Sequence, residues 1–379
     1  MSPPSLRILM TADAVGGAWV YATSLARALC GGGHQVCLVT LGPPPRDDQR
    51  REVAGVTGLD LTVTDLALEW TDSEGRDFSR AMRCLAELER RLTPDIVHVN
   101  GYREACAAWR APVVVVAHSC VCSWWRACHG DDPPRPQWAA YAANVRAGLA
   151  AAERWVAPTA AFRAEVETLY APPTRGQAIW NGLDPAGAPA PKEPFILSAG
   201  RLWDVAKNVS ALARVAARIP WPLRVAGPLA GCGAAGRDFD ASRVAWLGEL
   251  PRADLIAHMQ RASIFAAPAV YEPFGLTVLE AALAGCALVL SDIPSFRELW
   301  GGAALFVDPR DGRAIESALT RLVCDRDLRR ELQRAAQAHA RRYSLASMYD
   351  AYCGLYRTMA GARRAVGGPP RRPQIEARP

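Results

Sequence analysis

The residues with the most chemistry in their spacing lie in "YEPFGLTVLEAALAG", positions 271–285. Glu272 and Glu280 have seven residues between them, an E-x7-E spacing. Pro273, Phe274 and Gly275 lead into a helical pattern. A helix N-terminus entered this way offers free backbone N–H groups and the positive end of the helix dipole, which suit a diphosphate. Glu280, about a turn further in, can accept hydrogen bonds from two ribose hydroxyls, and Glu272 on the loop would face whatever the phosphate carries. Taken alone, the pair also fits any helix with one carboxylate in its leading loop and one on its solvent face. A second cluster shifts that balance. "SAGRLWDVAKN" ends a strand at Gly200-Arg201 and adds Lys207 one short loop on. An Arg and a Lys converging on one diphosphate supply the charge that a metal would otherwise provide. Of 44 basic residues only Lys192 and Lys207 are lysines, so a retained Lys points to a need for a compact ammonium. A solvated Lys at a helix start is the alternative.

Two glycine positions are open in the same way. Gly16-Gly17, in "DAVGGAWVY", lets backbone approach a phosphate or sugar, or simply makes a tight turn. Asn181-Gly182, in "AIWNGLD", reads as a type I′ or similar turn.

The elements that must position these residues are legible in outline. "LRILMTA", "HQVCLVTLG", "PDIVHVN", "APVVVVAH" and "RWVAPT" read as strands, with helical patterns at "AWVYATSLARALCGGG" and near 76–92 and 137–152. Near-continuous Val/Ile runs separated by helices indicate a parallel sheet covered on both faces. The pattern restarts after the Pro-rich "DPAGAPAPKEP" with "FILSAGRL", "PLRVAG", "RVAWLGEL", "ASIFAAPA", "CALVLSD" and "AALFVDP". The expectation is an α/β chain of two doubly wound Rossmann-like domains facing across a cleft, with ligands at the carboxyl ends of the strands. Residues 1–187 would form the first domain and 188–343 the second, with a helix over 344–360 and a basic disordered tail over 361–379.

Composition bounds the rest. At 379 residues two domains are the default, and a chain half apolar and 22% charged is globular. No apolar run reaches the ~18–20 residues of a membrane span, and "MSPPSLRILMTADAV" reads as a first strand and not a leader peptide. Eleven cysteines in apolar contexts fit free thiols in a reducing cytoplasm. The net charge of +6 is too mild and too scattered for nucleic acid. The tail "GARRAVGGPPRRPQIEARP" allows weak peripheral attraction to anionic membrane, with a solvated tail the simpler reading.

Together these residues resemble glycosyltransferase family four, the group one glycosyltransferases, which are retaining enzymes of the GT-B fold. The matching pieces run in the family's order: "GG" at 16–17, "PDIVHVN", "VVAHS", "VAPT", "WNGLD", "SAGRL…K", "EPFGLTVLEAALAG" and "SDIPSFREL". The resemblance implies metal-independent transfer of a sugar from a nucleoside-diphosphate donor to an acceptor hydroxyl on a glycan, a lipid-linked sugar or a small molecule. No cofactor is implied beyond that co-substrate. Arg201 and Lys207 match the pair that stabilises the departing diphosphate, Glu272 the carboxylate near the donor sugar, and Glu280 the ribose ligand. Backbone amides of Phe274, Gly275, Leu276 and Thr277 match the phosphate and sugar contacts, and Gly16-Gly17 the glycines facing the phosphates. The final helix in such enzymes often crosses back to the first domain. One departure stands out: five residues separate Arg201 from Lys207 where the family usually has four, so the loop bulges around Trp203 or Lys207 is displaced.

The family context also places "HSCVCSWWRACH", which holds two histidines and three cysteines in twelve residues. His118 directly follows a strand, and a family His at this point lies against the donor sugar, where it can bond a hydroxyl or stabilise developing charge. The cysteine spacings fit neither a structural zinc site nor a C-x-x-C redox pair. Cys120 and Cys122 then read as small residues of a cleft loop, and Trp124, Trp125 and Arg126 as candidates for the acceptor side. Asp238-Phe239-Asp240 is a literal D-x-D, best explained by chance. The rivals are a GT-B-type nucleotide-sugar epimerase, a nicotinamide-dependent oxidoreductase and a non-catalytic sugar-binding relic. The oxidoreductase needs G-x-G-x-x-G and an acid ending the second strand, where this chain has Thr40.

Overall fold

The computed structural model describes residues 5–187, 190–231, 234–235 and 241–365. The D-x-D at 238–240 and the tail beyond 365 lie outside the described residues. The chain divides into two compact units, one of residues 5–125, 131–180 and 345–365 and one of residues 126–130 and 181–344. The division falls at Asn181, a few residues before the Pro-rich stretch.

The first unit is built on β1 (Arg7–Asp13), β2 (Gln35–Leu41), β3 (Leu59–Val63), β4 (Ile96–Val99), β5 (Val113–Val116), β6 (Arg154–Ala157) and β7 (Gln177–Ala178). They form one parallel sheet in the order β3-β2-β1-β4-β5-β6-β7. The middle strands are buried on both faces because helices cover both, which is why "RILMTAD" and "VVVV" read as continuous apolar runs. Its helices are α1 (Gly17–Gly31), α2 (Asp47–Val53), α3 (Phe78–Leu92), the first turn of α4 (Val121–His129), α5 (Arg135–Ala151) and α6 (Ala160–Tyr170); the residues of α4 from Arg126 on are grouped with the second unit. Helix α1 stops where the glycines predict: Gly33 turns left-handed at φ 87°, and the His34 and Gly33 amides bond back to Leu29 and Cys30 in a Schellman closure.

The second unit repeats the plan. Its strands are β8 (Glu193–Ala199), β9 (Leu223–Ala226), the short hairpin β10 (Ala230–Gly231) and β11 (Ala234–Ala235), then β12 (Ala245–Trp246), β13 (Ala262–Ala267), β14 (Ala287–Ser291) and β15 (Ala304–Val307). The main sheet runs β12-β9-β8-β13-β14-β15, again all parallel. Helices α7 (Val209–Val215), α8 (Arg252–Arg261), α9 (Leu276–Leu283), α10 (Pro294–Trp300), α11 (Gly312–Cys324) and α12 (Arg326–Ala340) cover it. In each unit the order reverses at the first strand, beside β4 and beside β13. That is the switch point at which doubly wound sheets open a crevice beyond the strand ends.

Helix α13 (Leu345–Ala365) belongs to the first unit, where it packs on α1. Its Tyr352 and Tyr356 are fully buried, and Gly32 makes room for the approach of Tyr349, whose hydroxyl oxygen would lie within 2.1 Å of an added Cβ.

Two local expectations are corrected. The segment after His118 is not a loop: Val121–His129 is helical, because nothing between Ser119 and His129 is Gly or Pro, and Gly130 at φ 85° ends the helix. Asn181 and Gly182 make no I′ turn, since neither has the left-handed φ that turn requires.

Candidate active site

In the second unit the loop leaving β8 begins at Gly200. The neighbouring loop after β9 presses on it so closely that a Cβ on Gly227, at φ 142°, would lie 1.8 Å from the Gly200 carbonyl oxygen. Only glycine fits there. Arg201 follows, about a third exposed. Its Nη2 donates to Asp204 Oδ2 at 2.7 Å, and its guanidinium sits 5.4 Å from the Trp203 ring centre. Its Nε is buried without a partner. A donor held in this way is ready for an acceptor of opposite charge.

The extra residue before Lys207 is absorbed by a single turn of 3-10 helix, Val205–Lys207. Asp204 caps that turn by accepting from the Ala206 amide at 3.0 Å, so its two oxygens bind the turn and Arg201 together. Asn208, left-handed at φ 50°, ends the turn, and its Nδ2 is pinned to the carbonyls of Pro268 and Pro309 at 2.9 and 2.7 Å. Lys207 therefore still reaches the loop after β13, where Nζ meets Glu272 Oε2 at 2.5 Å. The Ser295 hydroxyl holds the Glu272 carbonyl in turn.

Gly275 then turns left-handed at φ 86°, with a would-be Cβ 3.0 Å from Phe296 and 3.3 Å from the Glu272 side chain. Helix α9 starts from it with no side-chain cap, so its first amides are unclaimed by capping side chains. Leu276 and Thr277, its first residues, are half-buried, whereas the Phe274 ring is core and packs edge-on against Tyr343 at 5.9 Å. Glu280, one turn in, is buried, and Arg252 at the start of α8 holds its Oε1 at 2.7 Å. The structure thus gathers Arg201, Lys207, Glu272, Gly275, Leu276, Thr277 and Glu280 at the carboxyl ends of β8 and β13. It adds Asp204 and Arg252, which the sequence reading missed. A helix-start Asp was the available signal for the first; nothing in the sequence marks the second.

Lys192, the other lysine, caps the far end of α9. Its Nζ donates to the carbonyls of Ala284 at 2.7 Å and Met259 at 3.1 Å, and burial lowers its pKa.

The first unit places its candidates separately. Gly16, at φ 70°, is the N-cap of α1, and Gly17 is the first helical residue. Just before them Asp13 accepts from the Val15 amide at 2.7 Å and from Trp70 Nε1 at 3.3 Å. His118 stands past the end of β5, with Nε2 2.8 Å from Asn100 Oδ1 and its ring 4.4 Å, edge-on, from Tyr21 of α1. Burial pushes its pKa down to about 4. His98, fully buried in β4, is pushed to about 3, and its Nδ1 lies 2.6 Å from the Tyr356 hydroxyl. Nearby, Arg103 is wholly buried against Asp72 at 2.7 Å and Glu104 at 3.2 Å. Glu69 accepts the Tyr102 and Arg103 amides, at 3.1 and 2.9 Å. Burial raises both Glu69 and Glu104; the Glu104 carboxylate raises Glu69 further, while the Arg103 guanidinium pulls Glu104 back down. Cys120, buried, bonds Tyr170 at 2.8 Å, while Trp124 and Trp125 pack edge to face on α4 at 6.1 Å. Among the described residues the cysteines are thiols outside any disulfide, and no group of three or more His, Cys, Asp or Glu is placed to hold a metal ion.

Comparison with known proteins gives this geometry a family. Residues 15–186 match the family model described as Glycosyltransferase Family 4, and residues 184–339 match Glycosyl transferases group 1. The chain belongs to glycosyltransferase family 4. It is a glycosyltransferase, with the two parallel-sheet α/β domains of the GT-B fold. Glycogen synthase from Mycobacterium tuberculosis is 27% identical to it over 88% of this chain and 89% of that one. Among solved structures, sucrose-phosphate synthase from Thermosynechococcus elongatus has a TM-score of 0.80 at 18% identity, over 94% of this chain and 100% of that one. HepE from Anabaena, in complex with UDP and glucose, has a TM-score of 0.73 at 16% identity, over 93% and 100%. At such identities the two structures share the fold alone with this glycosyltransferase. Among the described residues no helix is long and apolar enough to cross a membrane.

Proposed function

We propose that this glycosyltransferase moves a sugar from a nucleoside-diphosphate donor to an acceptor hydroxyl with retention of anomeric configuration and without a metal ion. The observation that carries the reading is the meeting of Arg201, Lys207 and the uncapped start of α9 at the ends of β8 and β13. Arg201 offers a buried, unpartnered Nε, and Lys207 is one hydrogen bond from Glu272. Two cations and a helix N-terminus can take the charge that appears on a departing diphosphate.

In this reading Arg201 and Lys207 bind the two phosphates, with Asp204 and Trp203 holding the guanidinium plane. The amides of Gly275, Leu276 and Thr277 bind oxygens of phosphate and sugar, and Glu272 accepts sugar hydroxyls while fixing Lys207. Glu280, steadied by Arg252, accepts the ribose hydroxyls. Gly16, Gly17 and His118 of the first unit take the phosphate- and sugar-facing roles that their family positions imply. The departing phosphate itself helps to deprotonate the acceptor hydroxyl, so no protein nucleophile is assigned. The acceptor is a sugar hydroxyl, free, glycan-borne or lipid-linked.

The test is a thermal-shift panel of UDP, GDP, ADP, their sugar conjugates and NAD, run once with EDTA and once with added magnesium. UDP leads because HepE, a solved structure of the same fold, is in complex with UDP and glucose. Ligand at 100 times Kd adds about 2.7 kcal/mol of stability. A shift with one nucleoside diphosphate that is lost in Arg201→Ala supports the reading; a shift with NAD alone, or one that requires a divalent ion, overturns it. Proton couplings of the transferred anomeric carbon then report retention directly.

A further inference from the structure

We propose that Asn100 is a positioning residue that locks His118 in its Nε2–H tautomer, so that the imidazole meets a ligand through the Nδ1 lone pair, as an acceptor for a hydroxyl. The identity of that hydroxyl as a sugar's rests on the transfer reading above; the tautomer does not.

The inference follows from one amide whose orientation is fixed. Asn100 Nδ2 lies 2.6 Å from the Thr11 carbonyl oxygen. A carbonyl only accepts, so the NH2 group must face Thr11, and the reversed amide would set two acceptors against each other. The Asn100 backbone amide donates to Thr11 Oγ1 at 2.9 Å, which ties the residue to β1 a second time. Oδ1 therefore points the other way, where Nε2 of His118 stands at 2.8 Å and Nε2 of His98 at 3.2 Å. Oδ1 has no proton to give. Each nitrogen that bonds it must carry its own hydrogen, and a neutral imidazole has only one.

The partner ring gives an internal check. With Nε2–H spent on Asn100, His98 must accept at Nδ1, and the group there is the Tyr356 hydroxyl at 2.6 Å, which can donate. For His118 the same logic leaves Nδ1 bare. Asn100 is its one hydrogen-bond partner among the described residues, and the ring is half-buried, so Nδ1 is the nitrogen open to a ligand. The ionisable groups facing the ring are His98 from β4 and the Tyr21 phenol from α1. Neither brings a negative charge at neutral pH, and desolvation keeps the ring unprotonated. Three neighbouring strands thus each give one residue to the device: Thr11 from β1, Asn100 after β4 and His118 after β5.

The chemical consequence separates two roles the sequence left together. A neutral ring with an exposed lone pair recognises an O–H donor. It supplies no positive charge to a developing oxyanion and no proton to a leaving group. A ligand lacking the hydroxyl at this position loses that contact.

The test is long-range proton–nitrogen NMR on the full chain with 15N-histidine, His118 being assigned by the signal missing from His118→Gln. The expected pattern at pH 7 is a pyridine-type Nδ1 and a pyrrole-type Nε2, with no titration until well below neutrality. Asn100→Ala should mix the tautomers. Asn100→Asp keeps an acceptor but adds charge, so it should preserve the tautomer and raise the titration midpoint by about one pH unit or more. A protonated Nδ1 in the wild type, or an unmoved midpoint in folded Asn100→Asp, overturns the proposal. Because no substrate is present, these signals stand or fall apart from the donor-binding panel.

Discussion

The two units wind the same strand order about the same switch point, yet they treat the polar groups there in opposite ways. In the second unit the charges are kept and paired at short range: Arg201 with Asp204, Lys207 with Glu272 and Arg252 with Glu280, at 2.5–2.7 Å, with the cations a fifth to a third exposed. In the first unit one ion pair, Arg103 with Asp72, is sealed from water, and the histidines are desolvated and held neutral. His98 and His118 are pushed far below the ordinary imidazole value, and burial raises Glu69, to about 8, and Glu104 above the ordinary carboxyl. The difference follows from what each crevice would meet. Paired charges can exchange a protein partner for a diphosphate at little cost in solvation. Neutral donors and acceptors select hydroxyl groups and reject ions, which must give up water to enter.

The contrast breaks if charge removal in the second unit harms folding more than function. Arg201→Ala and Glu272→Ala should each lower transfer turnover by about 100–1,000-fold while leaving the unfolding midpoint nearly unchanged. Wild-type turnover in either would remove the assigned roles. In the first unit the order should invert. Tyr356→Phe leaves His98 Nδ1 buried without a donor and should cost about 1–3 kcal/mol in urea unfolding. An unchanged urea midpoint would show that the contact contributes nothing.

Acid sharpens the same point. A histidine whose folded pKa is depressed adds stability that is present above its unfolded value and is lost as pH falls toward the folded one. For His98, ordinary value 6.5 and folded value about 3, the loss reaches about 2 kcal/mol by pH 5. The Glu69–Glu104 pair has the opposite sign: the stability its raised proton affinity lends is present below the ordinary carboxyl value and is lost as pH climbs above it. Urea midpoints at pH 7.5 and 5 in wild type and His98→Gln isolate the histidine part, and equal slopes in the two would contradict it. The smallest expected effect returns to the second unit. Glu280→Ala should weaken nucleoside-diphosphate binding by about tenfold, roughly 1.4 kcal/mol, with an unchanged titration isotherm as the contrary result.

What the sequence disclosed divides along the same line. Arg201, Glu272 and the Gly275 entry to α9 were legible because each sits within a few residues of a strand end, and the local pattern names both the residue and its place. Helix α4 is hard to see because its clustered cysteines suggest a functional loop, although the segment holds no helix breaker. Strand β3, "LDLTV", does not stand out because as a half-exposed edge it alternates and never forms an apolar run. Arg252 with Glu280 and Asn100 with His118 were invisible for a stronger reason. They lie 28 and 18 residues apart and meet only because of strand and helix order. Trp203 marked the place of the extra residue before Lys207, but the Asp204-capped turn that absorbs it needed coordinates.

The ammonium that closes the far end of α9 changes what that helix is electrostatically. An eight-residue helix is about 12 Å long, and alone its two half-charges would largely cancel a short distance away. With the Lys192 ammonium seated on the Ala284 carbonyl the negative pole is overwritten, and what remains resembles a single positive pole. A pole's potential decays with distance, a dipole's with distance squared. An incoming anion therefore feels the start of α9 from further out than eight aligned peptides could manage by themselves.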